Sequence, residues 1–132
     1  MIDIVESLKK KETLFTLEGV SAQQIEAAEN ELGLRFAEDY VQYVSAFGIA
    51  SYDNHELTGI CQAERLNVVA VTKKNRGILP ELNKDWYVVE QMNMDGVIIC
   101  QDSTGAVFQT SPGNDAVRLC NSLTEYISFG IQ

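Results

Sequence analysis

The chain has 132 residues with 45% apolar and 22% charged, the composition of one globular domain able to bury about two thirds of the surface its unfolded form exposes. No apolar run approaches the ~20 residues a membrane span needs, and MIDIVESLKKKE lacks the apolar core of a signal peptide, so a soluble cytoplasmic protein is expected. Net charge is -9, and it is unevenly spread: residues 12–64 hold ten acids and one base, Arg35, whereas residues 65–132 are close to balance. A field of that sign repels nucleic acid and anionic membrane and speeds encounter with a basic protein.

In chain order, Ile4, Val5 and Leu8 fall at helical spacing within residues 2–10, and Lys9-Lys10-Lys11 supplies the basic last turn that suits a helix C-terminus. TLFTLEG alternates as a strand. Ser21 and Gln24 have capping-box spacing and open a helix over 22–32. Gly33 stands where a left-handed cap ends it. That helix carries Ile25, Ala28 and Leu32 on its apolar stripe together with Glu29, whose carboxylate needs partners; the N–H groups at the start of the next helix are the nearest candidates. The third helix is read from Ala37 to Gly48, with Tyr40, Tyr43, Val44 and Phe47 on one side and Glu38 and Asp39 in its first turn, where acids interact well with the helix dipole.

Short β or loop pieces are expected beyond Gly48, and LNVVAVTKKNRG fits either a strand-to-helix turn or a short helix. WYVVEQ, VIICQ and AVFQT read as a three-stranded antiparallel meander joined by MNMDG and DSTG. VIICQ, continuously apolar, suits a central strand covered on both faces. SPGND reads as a loop. Ser122 and Glu125 form a second capping-box signature before a terminal helix with Leu123, Tyr126, Ile127 and Phe129 on its apolar side. The fold class expected is α+β, one domain over 1–132 with a central antiparallel sheet and flanking helices.

Chemistry-bearing patterns are sparse. Cys61, Cys100 and Cys120 are odd in number and widely spaced, which fits neither a disulfide framework nor a zinc site, and Cys100 reads as a small core hydrophobe. His55 is the single histidine. Asp53, His55 and Glu56 match no metal template, and nothing near Cys61 or Cys100 marks an activated thiol. Neither Glu38/Asp39 nor Asp95/Asp102 carries the signature of a glycosidase pair, and the last two read as turn residues. No phosphate loop, nucleophile elbow or zincin motif occurs. No catalytic residue, metal or cofactor is therefore expected. Trp86 reads either as a core plug at a strand start or as an anchor for a partner.

The order of these signals resembles the SMI1/KNR4 (SUKH) superfamily. SAQQIEAAENELGLRFAEDYVQYVSAFG matches its pattern at Ile25, Glu29, Leu32, Gly33, Asp39, Tyr40 and Gly48, and LTGI, VVAVTKKNR, WYVVEQ and DGVIICQDSTGAVFQ fit the remainder. Ala37 stands where the family usually has Pro, and Phe47 where Asn is usual. The resemblance implies a non-enzymatic protein. Bacterial members look like immunity proteins that bind and neutralise a polymorphic or contact-dependent toxin, often a nuclease, while others are intracellular scaffolds or regulators. On that reading the partner is a toxin with a basic nuclease domain, with no direct nucleic-acid or membrane contact. The residues expected at the contact are Glu38, Asp53, Glu56, Glu64 and Trp86.

Overall fold

In the computed structural model, which describes residues 3–129, side-chain caps set most helix starts. Helix α1 (Ile4–Lys9) starts at Asp3, whose Oδ1 accepts the Glu6 N–H at 2.9 Å; Ile2, expected within it, lies outside the described residues. Helix α2 (Ala22–Leu32) has the full capping box: the Gln24 N–H donates to Ser21 Oγ and the Ser21 N–H to Gln24 Oε1. It ends on Gly33 at φ 70°, a left-handed conformation that costs glycine nothing. Helix α3 (Glu38–Ala46) begins at Ala37 without a side-chain cap. LNVVAVTKKNRG resolves into helix α4 (Val68–Ile78), because Asn67 Oδ1 accepts the N–H groups of both Val69 and Ala70. In α5 (Leu123–Phe129) the Ser122 hydroxyl accepts the Glu125 N–H, but the Glu125 carboxylate accepts the Asn121 N–H, one residue beyond the Ser122 N–H that a true box would use. The side chain of Phe129 lies outside the described residues.

Two element boundaries differ from expectation. Phe47 is extended (φ -136°, ψ 129°) and opens strand β2 (Phe47–Tyr52) with no loop after α3, so it is not the last helical residue. Asp53 and Asn54, both at positive φ, then make the two-residue turn into β3 (His55–Leu57). Strand β1 (Phe15–Glu18) pairs antiparallel with β2. The expected meander is present as β4 (Tyr87–Gln91), β5 (Ile98–Gln101) and β6 (Val107–Ser111), but a further strand, β7 (Asn114–Cys120), extends it. The SPGND loop shrinks to a turn around Pro112-Gly113. All seven strands form one antiparallel sheet in chain order.

Alternation along the sheet sends side chains to two apolar clusters. Tyr87, Val89, Ile99 and Val107 face the larger one, with Ile4 and Leu8 of α1, Ile25 and Leu32 of α2, Tyr40 and Tyr43 of α3, and Leu123 and Ile127 of α5. Val88, Ile98 and Cys100 face the smaller one on the opposite side, under Val71 of α4 and Leu82. Strand β5 is therefore buried on both faces, as its unbroken apolar run requires. Helix α4 contributes to both clusters, Val68 to the first and Val71 to the second. It flanks β4 where β3 ends, and its Thr72 hydroxyl accepts the Val88 N–H at 3.0 Å, a donor that the ladder leaves open. Gly59 has a steric reason: a Cβ there would overlap the Gly48 carbonyl, which accepts the Ile60 N–H at 2.9 Å.

Candidate partner-binding surface

A buried polar chain fixes the start of α3. The Ala37 N–H donates to the Tyr87 hydroxyl at 2.9 Å, which donates to Gln101 Oε1 at 2.6 Å. Gln101 Nε2 donates to Asp39 Oδ1, and Asp39 Oδ2 accepts the Thr124 N–H at 3.1 Å. Asp39 therefore joins α3, the sheet and the first turn of α5, a larger part than the dipole partner its position suggested. Glu29 acts as expected, Oε2 accepting the Phe36 N–H at 2.9 Å just before α3.

Around this junction opens a groove of about 810 Å³ whose lining, among the described residues, includes Asp3, Glu38, Asp39, Gln42 and Glu125 but no lysine or arginine. Of the expected contact residues it holds Glu38, exposed at the first position of α3. Asp53 and Glu56 come together in a second groove of about 450 Å³ along the β2–β3 hairpin, beside Tyr52 and His55. Asp53 is pinned there by Thr13, whose hydroxyl donates to Asp53 Oδ1 and accepts its N–H, both at 2.8 Å. Glu56 receives two bonds from Arg65, at 2.7 and 3.0 Å, which hold its carboxyl below the usual range and offset its charge. Glu64, exposed, is the neighbour of that arginine in the 3-10 turn Glu64–Leu66. Trp86 is elsewhere, half-buried on the opposite face of the sheet and stacked on Phe108 with ring centroids 4.1 Å apart. The five residues thus occupy three places.

Beneath the hairpin, His55 Nδ1 lies 2.8 Å from Glu90 Oε2, and the Tyr126 hydroxyl donates to Glu90 Oε1 at 2.6 Å. His55 also stacks on Tyr52. This arrangement holds β3, β4 and α5 together; of the two thiols weighed as partners for the histidine, Cys61 Sγ is turned to the Ala63 carbonyl, and Cys100 is buried, its thiol pushed up to about 12 by desolvation. Asp102 Oδ1 accepts the N–H groups of Thr104 and Ala106, and Asp95 sits at positive φ before Gly96; both are turn residues, as read. Among the described residues no cluster of three or more histidine, cysteine, aspartate or glutamate side chains is placed to hold a metal ion, and no helix is long and apolar enough to cross a membrane.

Sequence reasoning missed Asp3, Gln42 and Glu125 as groove residues. Glu125 had registered only as a cap, and nothing local shows that residues 3, 38 and 125 meet. The missing signal is tertiary, the docking of α5 beside α3 through Asp39.

A seven-stranded antiparallel meander with α1, α2, α3 and α5 on one face, and with acidic grooves in place of an assembled catalytic constellation among the described residues, is an α+β domain of SMI1/KNR4 type. More narrowly, the SUKH_5 family model, described as SMI1-KNR4 cell-wall, matches residues 1–128, and the chain belongs to that family. No curated protein matches it significantly. The superfamily is generally of a non-enzymatic immunity or scaffold type, and membership is consistent with an immunity-like function exercised on a protein partner.

Proposed function

We propose that this protein is an immunity protein that binds a cognate bacterial toxin in the cytoplasm and neutralises it by covering a basic active-site surface, in the first instance that of a nuclease. The observation that carries the reading is the groove between α3 and α5, where Asp3, Glu38 and Glu125 stand around Asp39 with no lysine or arginine among the described lining residues. A nuclease surface is basic because it holds phosphates. A carboxylate-lined concavity complements it, steers its approach and competes with its substrate. Exposed Asp53 and Glu64 add to the same negative field, Glu56 less so because Arg65 offsets it. Family membership supports a protein partner and the absence of chemistry.

The test is co-expression with candidate toxins drawn from the genes that neighbour this one. Growth should be restored and the two proteins should co-elute; Glu38→Lys should weaken both effects without unfolding the protein. Absence of rescue together with absence of a complex would rule out that toxin as the partner.

A further inference from the structure

The groove on the far face of the sheet has a chemistry of its own. It measures about 480 Å³ and runs between the segment after α4, which contributes Leu79, Glu81 and Leu82, and the β6–β7 hairpin, which contributes Thr110 and Asp115; Trp86 forms part of its wall. The indole lies nearly parallel to the Phe108 ring, at 12°, and packs with Leu79 against the smaller apolar cluster, so its position is fixed. Glu81 and Asp115 are exposed, stand one on each walling segment, and enter no ion pair among the described residues. Among the described residues no lysine or arginine lines the groove. Arg118, the cross-strand neighbour of Phe108, is drawn away to Asn121 Oδ1 at 2.6 Å.

We infer that this groove is a docking site for an arginine side chain of a protein partner, the guanidinium stacking on Trp86 between the carboxylates of Glu81 and Asp115. Guanidinium is planar, weakly hydrated and able to stack on indole while donating to carboxylates at its edge. A lysine ammonium, compact and strongly hydrated, exploits the ring less well. An aliphatic side chain would fill the same space but leave both carboxylates unused. The site lies on the sheet face opposite the α3–α5 groove and does not depend on the toxin reading.

Trp86 is the sole tryptophan, so fluorescence excited at the red edge of the indole band, where the five tyrosines do not absorb, reports on this groove alone. Titration with the blocked tripeptide acetyl-Gly-Arg-Gly-amide should give a saturable change in that fluorescence, and its citrulline analogue, which keeps the shape and loses the charge, should give none. Glu81→Gln/Asp115→Asn should weaken the arginine response about fivefold, the size of two exposed charge contacts. The equally discharged control Glu12→Gln/Glu18→Gln should leave it unchanged, and thermal unfolding should show both variants folded. The inference is overturned by an absent or non-saturating response, by an equal response to citrulline, or by equal weakening in the control.

Discussion

Single side chains in this protein act mainly by satisfying buried donors, and their removal has calculable consequences. Glu29→Ala strips the Phe36 N–H of its acceptor and should cost about 1–2 kcal/mol, the scale of a lost helix-start cap, in chemical denaturation. Tyr87→Phe deletes a hydroxyl that accepts from Ala37 and donates to Gln101, leaving two buried groups unpaired. A loss of about 2–4 kcal/mol follows, with little change in shape. The first of these was legible: an acid on an apolar stripe two turns before the next helix has few places to go. The second was not, because Tyr87 read only as a strand aromatic, and the groups it bonds lie 50 residues before it and 14 after it. Asp39 shows the same limit, since local sequence explains an acid in the first turn of α3 but not its grip on Thr124, 85 residues away.

Helices and strands were legible to the extent that their signals are local. Ser21, Gln24 and Gly33 mark the ends of α2 by their own chemistry, and β4, β5 and β6 stand out by apolar content. Strand β7 is not legible in this way, because its Asn114-Asp115 start runs on from the SPGND turn signal and its residues 114–118 are all exposed; at the sheet edge it is held by pairing with β6 instead of by a buried face. The same reasoning explains Phe47: its apolar side chain fits the α3 stripe, yet pairing with Glu18 draws it into β2. The crossing of β2 with the segment after β3 supplies a test at this scale. Gly59→Ala pushes a methyl into the Gly48 carbonyl, backbone against backbone, and should destabilise by about 3 kcal/mol or more, at the upper end of overpacking costs. Gly77→Ala, where a Cβ meets nothing within α4, should be neutral or slightly stabilising.

Across the whole molecule, charge and tyrosine burial set the behaviour in solution. All five tyrosines have hydroxyls held in the protonated form above their ordinary range, chiefly by desolvation, with Glu90 adding to the effect at Tyr52 and Tyr126. In the unfolded chain they ionise near pH 10. Stability from this source is thus complete below that pH and falls as pH rises beyond it, so tyrosinate absorbance should appear together with cooperative unfolding instead of before it. The acidic asymmetry of residues 12–64 is plain from sequence, while the placing of Glu38 and Asp39 in one groove and of Asp53 and Glu56 in another needs the fold. The central proposal, that the carboxylates of this surface guide a basic toxin to it, is tested most directly by the association rate with a toxin that the protein neutralises on co-expression, measured against salt. A fall of about tenfold or more is expected between low and physiological ionic strength, steeper than the change in dissociation rate. An association rate indifferent to salt would contradict it.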